Sequence, residues 1–239
     1  MFTFEKISEI NGLDIKAPSN SRQNSYAWSI AELGDYIYIG TSRNLASSVV
    51  GNYASGISVP ASLISGTKNL AEIWRYKKCG NHKWQKVFKP NESDKAFGFR
   101  IMIVHQAYGC PPAIYAISTG QTLNVYKSYD GLNWKKLKIS NILGNSSRAM
   151  TSLNGRLYLA TVDELSKNKE AYLYVSPDPE KIPFKLITDK NNKNYISSLN
   201  PHGGIDTLTV FNNKLYVGCD SKEGAQIWRS NSSNPQMNK

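Results

Sequence analysis

The stretch LGDYIYIG at residues 33–40 recurs along the chain, as LNGRLYLA at 153–160 and as FNNKLYVG at 211–218. A looser copy, IYAI, lies at 114–117. The three full copies each place a turn rich in Gly and Asn before an apolar run built around a tyrosine, which predicts a β-hairpin. An internal repeat decides the architecture before any local motif does, and repeated hairpins of this kind are typical of an all-β propeller.

Each copy extends to four predicted strands, of which the hairpin supplies the first two. The third strand carries an aromatic residue that a basic residue follows in most copies, and the fourth begins with a large aromatic residue and then alternates. The third strands are IWR at 73–75, VYK at 125–127, LYV at 173–175 and IWR at 227–229, and the fourth strands are WQKV at 84–87, WKKL at 134–137 and FKLI at 184–187. The sequence therefore predicts a single domain over residues 1–239, a small propeller of about four four-stranded blades; a fifth, degenerate blade is an alternative.

The predicted blades are residues 26–89, 98–140, 147–189, and 205–230 together with 2–8. The last blade has no fourth strand after its third, whereas Phe2–Ile7 has the matching pattern of an aromatic residue followed by alternation. We therefore expect the N-terminal strand to complete the last blade and to close the ring, which would remove the exposed sheet edges. The alternative is that the chain is part of a longer propeller.

Composition narrows the class of protein further. No run approaches the 18 apolar residues of a membrane-spanning helix. The start, MFTFEK, does not have the pattern of a signal peptide, so a cytoplasmic location is the default expectation. The three cysteines, Cys79, Cys110 and Cys219, show no metal-binding spacing, and we expect free thiols and neither a metal nor a cofactor.

The net charge of +11 is concentrated in one part of the chain. Residues 76–145 contain eleven basic and three acidic side chains, so the excess lies on a flank that runs from Lys77 to Lys138. One interpretation is a solvated lysine face that protects the outer strands. The other is contact with a polyanion, although Lys outnumbers Arg there and sequence-specific recognition of nucleic acid is not expected.

Residues 128–134, SYDGLNW, resemble the Asp box, S-x-D-x-G-x-x-W, of sialidases and other proteins with BNR repeats, with one residue fewer between Asp and Gly. Ser128, Asp130, Gly131 and Trp134 carry the resemblance, which implies a structural role in the turn between third and fourth strands. The wider pattern, with YIGT at 38–41 and IWR at 73–75, resembles that of bacterial propeller proteins. Both resemblances imply the fold, and neither implies a single activity.

Alignment of the copies on their tyrosines puts four residues at equivalent positions near the start of the first strands: Trp28, Arg100, Arg148 and Asp206. Such positions converge near the axis of a propeller, so we expect the four side chains to surround one mouth. A tryptophan for stacking, two arginines and a carboxylate suit a sugar or an anion. Alternatively, Arg148 and Asp206 simply pair with each other across the channel.

Two more residues are expected at this mouth. Arg43 lies at the root of the long insertion between Ser42 and Leu70, and a loop of this length is usually functional or disordered. His202 precedes two glycines just before Asp206. The predicted binding residues are therefore Trp28, Arg43, Arg100, Arg148, His202 and Asp206, and no residue is predicted to be catalytic.

These features favour a non-catalytic module that binds a glycan or a protein surface. The first alternative is a carbohydrate-active enzyme similar to sialidases, for which two carboxyl groups would have to converge at the mouth. The second is a scaffold that docks a polyanion through the lysine-rich flank, in which case its affinity would fall steeply with salt. No phosphate-binding loop, HExxH or GxSxG motif occurs in the chain.

Overall fold

The computed structural model describes residues 3–46, 48, 69–80, 83–120, 122–164, 166, 169–193 and 196–235. Most of the insertion between Ser42 and Leu70 lies outside these residues, as do the first two residues of the N-terminal segment. In the described part, fifteen strands follow a short helix, α1 (Pro18–Gln23), and two 3₁₀ turns occur at Glu92–Asp94 and Ser197–Leu199. The protein is an all-β propeller-type fold, as the repeats predict.

Four antiparallel units of blade size, called sheets below, follow one another along the chain, and one bridge between Ser42 and Gly98 joins the first two units into a continuous eight-stranded sheet. The first contains β1 (Tyr26–Leu33), β2 (Tyr36–Ser42), β3 (Ile73–Lys77) and β4 (Trp84–Phe88). The second contains β5 (Ala96–His105), β6 (Ala113–Gly120), β7 (Asn124–Ser128) and β8 (Lys135–Lys136). The third contains β9 (Ser146–Leu153), β10 (Arg156–Val162), β11 (Tyr172–Ser176) and β12 (Lys185–Leu186). The fourth contains β13 (Gly204–Phe211), β14 (Lys214–Asp220) and β15 (Gln226–Arg229).

The hairpin turns that open three of the sheets use left-handed backbone conformations. Gly34 and Gly155 have φ values of 57° and 67°, and Asn212 and Asn213 have 45° and 59°. Two-residue hairpins of the type that matches strand twist need positive φ, which Gly and Asn adopt most readily. The Gly- and Asn-rich turns of the repeat therefore set the register of each hairpin.

Each sheet has a tyrosine face, which we define by Tyr38, Tyr115, Tyr158 and Tyr216, and an opposite face. Three hydrophobic clusters join the tyrosine face of one sheet to the opposite face of the next. Tyr38 packs with Ile114 and Ala116, Tyr115 with Leu157 and Leu159, and Tyr158 with Leu215 and Val217. The sheets are therefore held in chain order by the same contact used three times.

The turn at residues 128–134 stabilises the contact between the first two sheets. Asp130 Oδ1 accepts hydrogen bonds from the backbone amides of Leu132 and Asn133, both at 2.8 Å. Ser128 Oγ accepts one from the Gly131 amide at 2.9 Å. Tyr38 of the preceding sheet donates its hydroxyl to the Asp130 carbonyl at 3.4 Å, so the turn is packed as well as internally bonded.

The N-terminus differs from the expectation that it completes the last blade. The described residues 3–8 form no strand, and β15 pairs with β14 but with no fourth strand in the described chain. The segment lies instead at the first sheet, where Trp84 Nε1 donates to the Ile7 carbonyl at 3.0 Å. None of the three clusters contains residues of both the first and the fourth sheets, so the described residues show no hydrophobic packing between these two sheets.

Candidate functional site

The four residues aligned near the strand starts are the bulged residues of the first strands. In each sheet the pairing between first and second strands skips the aligned residue, which is Trp28, Arg100, Arg148 or Asp206. The second sheet also skips Phe97. The register resumes each time at the second residue after the sheet's tyrosine. A β-bulge bends its strand and redirects a side chain, and bulges are frequent beside functional sites.

Arg148 stands at the centre of the group and binds two carboxylates. Its Nε and one terminal nitrogen donate to the two oxygens of Glu164 at 3.0 and 2.9 Å, and its other terminal nitrogen donates to Asp206 at 2.8 Å. The bond with Glu164 is the main cause of the raised pKa of Arg148. Bidentate pairs of this kind are strong and fix the geometry of both partners.

Trp28 and Arg100 extend the group toward the first sheet. The guanidinium carbon of Arg100 lies 5.4 Å from the centre of the Trp28 ring, within the range of a cation–π contact. Arg100 also approaches Glu164, with a nitrogen–oxygen distance of 3.9 Å. A continuous chain of contacts therefore runs from Trp28 through Arg100, Glu164 and Arg148 to Asp206.

A glycine lets the Trp28 ring approach the second sheet closely. A Cβ atom at Gly98 would meet the Trp28 ring at 2.3 Å, so only glycine permits this approach. The ring also stacks near Phe97, with centroids 6.5 Å apart and an interplanar angle of 29°. The indole is thus positioned by contacts with the Gly98 backbone, the Phe97 ring and Arg100.

The structure does not bring Arg43 and His202 into this chain of contacts. The guanidinium of Arg43 donates to Asn20 and Gln23 of α1, and burial lowers its pKa. The His202 ring packs edge-on against Trp228, with centroids 5.1 Å apart. Arg43 therefore anchors the N-terminal helix, and His202 packs against the third strand of the fourth sheet.

Glu164 is the member of the group that sequence reasoning missed. It follows β10 in the connection between second and third strands, which belongs to the face on which the predicted mouth lies. The sequence could have identified Glu164 by its position, because the connection between second and third strands lies on the same face as the predicted mouth. An acidic residue in that connection can reach the aligned arginines.

The lysine-rich flank is largely paired with carboxylates. Lys127 is 3% exposed and lies 3.0 Å from both Asp178 and Glu180, so it belongs to the interior. Further pairs are Lys78–Glu32 at 2.6 Å, Lys86–Glu72 at 3.1 Å, Lys135–Glu180 at 2.6 Å and Lys136–Asp94 at 2.5 Å. Contact with a polyanion through this flank stays a prediction.

Other features bear on the chemistry that the described residues offer. All three cysteines are free, with Cys219 buried and Cys79 exposed. Within the described ranges, no three His, Cys, Asp or Glu residues are grouped to hold a metal ion. No helix in the described part of the chain has the length and apolar character needed to cross a membrane.

Two cavities lie away from the group around Arg148. One of about 440 Å³ separates the N-terminal segment from the opposite face of the first sheet, and Ile30, Ile37 and Trp84 line it. The other, of about 530 Å³, lies beside Tyr108 and Arg156 in the loops between the second and third sheets. The first cavity indicates that the N-terminal segment covers its sheet incompletely.

Comparison with known proteins supports the fold and leaves the activity open. No protein-family model matches the chain, and no curated protein sequence matches it. Among solved structures, the Trypanosoma rangeli sialidase matches with a TM-score of 0.50 at 11% identity, over 89% of this chain and 39% of the sialidase. At this identity the likeness bears on the fold alone.

Two glycoside hydrolases match less well. A family 117 glycoside hydrolase from the marine bacterium Zobellia galactanivorans gives a TM-score of 0.47 at 11% identity, over 84% of this chain and 64% of that one. An α-L-arabinanase from Cellvibrio cellulosa gives 0.45 at 13% identity, over 88% and 76%. This chain thus spans less than two thirds of the sialidase and of the family 117 enzyme.

Proposed function

We propose that the protein recognises a carbohydrate through the mouth group, defined as Trp28, Arg100, Arg148, Glu164 and Asp206, and acts there as a binding module. The observation that carries this proposal is the repeated bulge, because four equivalent bulges turn four dissimilar side chains into one connected group. A fold that needed only packing would have no reason to place a tryptophan, two arginines and a carboxylate at the same bulge.

The chemistry of the group suits a sugar. An indole face packs on the apolar face of a sugar ring, while guanidinium nitrogens donate to hydroxyl oxygens and carboxylates accept from hydroxyl groups. The two arginines are balanced by two carboxylates, so the group carries no excess charge. We therefore infer a neutral glycan in preference to an anionic one. We also propose that residues 128–134 are an Asp box, which supports the fold and takes no part in binding.

Glycoside hydrolysis is the second candidate, and one observation favours it. Glu164 and Asp206 approach the same guanidinium, so two carboxyl groups converge at the mouth as a glycosidase requires. Both are hydrogen-bonded to Arg148, however, and a hydrolase would need at least one of them to exchange a proton with the substrate. The binding module is therefore the leading proposal.

A glycan array of the purified protein at low and high salt is the first test. We expect a small set of neutral glycans whose binding survives high salt. For such a glycan, Trp28→Ala should weaken the affinity measured by titration calorimetry at least tenfold, equivalent to about 1.4 kcal/mol. The matched control is Tyr108→Ala, since Tyr108 is a fully exposed aromatic residue in the loop between β5 and β6 and is not part of the chain of contacts from Trp28 to Asp206. Equal affinity of the Trp28 variant and wild type would contradict the proposal.

The same glycan separates binding from hydrolysis. If the protein only binds, prolonged incubation releases no new reducing ends, and Glu164→Gln changes affinity alone. Release of reducing ends by wild type, with loss of release in Glu164→Gln and Asp206→Asn, would establish the hydrolase instead. Binding only to polyanions, and only at low salt, would move the function to the Lys77–Lys138 flank.

A further inference from the structure

The strand β15 has a free edge in the described chain. In the first three sheets the third strand pairs on its outer side with β4, β8 or β12. The strand β15 pairs with β14 and with no other described strand. A free edge offers backbone amides and carbonyls that readily pair with an added strand.

The segment Phe4–Ile7 has the sequence of a fourth strand. It reads FEKI, which matches WQKV at 84–87, WKKL at 134–137 and FKLI at 184–187 in its aromatic start and aliphatic end. In those strands the final residues Val87, Leu137 and Ile187 pack into the clusters between sheets. Phe4–Ile7 therefore carries the side chains that the fourth sheet lacks.

The same alignment predicts the register of the added strand. The observed pairs Arg75↔Gln85, Lys127↔Lys135 and Val175↔Lys185 are equivalent in the three complete sheets. Their equivalent in the fourth sheet is Arg229 opposite Glu5. Opposite charges directly across two strands stabilise the pairing, so the charges of this pair match the register.

The N-terminal segment and the outward-facing side chains of the first and fourth sheets are exposed in the structure. Phe4 is 100% exposed, and residues 3–7 are all exposed. On the tyrosine face of the fourth sheet, Phe211 is 63% and Ile227 is 76% exposed, although the equivalent face of every earlier sheet is covered by the next sheet. Ile30, on the opposite face of the first sheet, is 66% exposed. At each contact within the row, the tyrosine face of one sheet packs on the opposite face of the next sheet. The exposed tyrosine face of the fourth sheet and the exposed opposite face of the first sheet are therefore a matching pair.

We propose that Phe4–Ile7 of one copy of the chain adds to β15 of a second copy as its fourth strand, so that copies associate end to end. Within one chain the segment is anchored to the first sheet by Trp84, and no hydrophobic cluster of the described residues joins that sheet to the fourth. Pairing with β15 of the same chain (in cis) would require the row of sheets to close on itself. Pairing with β15 of a second copy (in trans) requires only that the first sheet of one copy meets the fourth sheet of the other. This inference is independent of the proposed glycan site.

Light scattering after size-exclusion chromatography tests the association. We expect the mass to rise above that of the monomer with increasing concentration, and Phe4→Asp to abolish the rise without changing the melting temperature of the monomer, because Phe4 contacts solvent alone. Tyr108→Asp, the control at another fully exposed aromatic residue, should associate like wild type. A mass that stays monomeric at every concentration, or one that Phe4→Asp leaves unchanged, would overturn the proposal.

Charge exchange tests the register of the added strand, and cross-linking tests whether that strand comes from the same chain or from a second copy. Glu5→Arg and Arg229→Glu should each weaken association, and the double variant should regain it. In a Cys79→Ser background, Glu5→Cys with Arg229→Cys should oxidise to covalent dimers and longer oligomers. An internal disulfide in a covalent monomer would establish closure within one chain and refute association in trans.

Discussion

His105 is buried at the contact between the second and third sheets, and both of its ring nitrogens have partners. Nδ1 lies 2.8 Å from Ser152 Oγ, and Nε2 lies 2.9 Å from the Pro177 carbonyl oxygen. Because a carbonyl can only accept, Nε2 carries the proton and Nδ1 accepts from the serine hydroxyl. Burial is the main cause of the lowered pKa of this histidine.

The lowered pKa of His105 predicts a loss of stability in mild acid. Below the ordinary pKa of about 6.5 the unfolded chain takes up a proton at this site while the folded chain does not, so protonation favours unfolding. Wild type should therefore lose free energy of unfolding between pH 7 and pH 5 relative to His105→Gln, which does not titrate. Denaturant unfolding of both proteins at the two pH values measures this difference, and parallel curves would contradict the assignment.

At the level of structural elements, the turn at residues 128–134 shows how local bonding and packing combine. Asp130 is held by the amides of Asn133 and Leu132, and these bonds lower the pKa of its carboxyl group. Gly131 has a φ of 68°, and a Cβ atom there would lie 2.0 Å from the Tyr38 hydroxyl. The turn needs glycine both for its backbone conformation and for the approach of the neighbouring sheet.

Substitution of Gly131 separates these two requirements. Gly131→Ala should destabilise the protein by more than about 1 kcal/mol, because alanine at positive φ is strained and its methyl group displaces Tyr38. Gly109→Ala is the matched control, since Gly109 has a φ of 71° with no atom within 4 Å of the added Cβ. Thermal unfolding of both variants isolates the packing contribution, and equal losses would mean that the contact with Tyr38 contributes nothing.

At the level of the whole molecule, the same tyrosine-face contact holds three successive pairs of sheets, and among the described residues no such contact joins the first sheet to the fourth. The contact buries large side chains between sheets, whereas Phe211 and Ile227 remain on the surface at the last sheet. Repeat proteins are stabilised mainly by contacts between neighbouring units, so stability should depend on where in the row a side chain lies.

Truncation of matched aliphatic residues tests this dependence. Leu159→Ala, in the buried contact between the second and third sheets, should reduce the free energy of unfolding by about 2–5 kcal/mol. Ile227→Ala, at the open end, should change it by less than about 0.5 kcal/mol at a concentration where the chain is monomeric. Comparable losses at the two positions would show that the last tyrosine face is covered in solution.

Much of the fold could be predicted because its signals are local. The alternation of the strands, the Gly and Asn turns and the position of each tyrosine place the strands within a few residues of their observed bounds. Alignment of the copies on these tyrosines also places Trp28, Arg100, Arg148 and Asp206 at equivalent positions. The repeat does not predict Glu164 as a site residue, because the loop that contains it lies outside the repeated pattern. The repeat also places Arg43 at the mouth incorrectly, because α1, the helix that Arg43 contacts, has no counterpart in the other copies.

The sequence by itself determined the propeller-type fold, the strand order within each sheet and the equivalence of the four strand-start positions, because these depend on periodicity and turn chemistry within short windows. Only the tertiary structure decided that those positions are bulges, that Glu164 links them through Arg148, and that the N-terminal segment lies on the first sheet and not the last. Such outcomes depend on contacts between residues distant in the chain, whose geometry follows from how the sheets pack together.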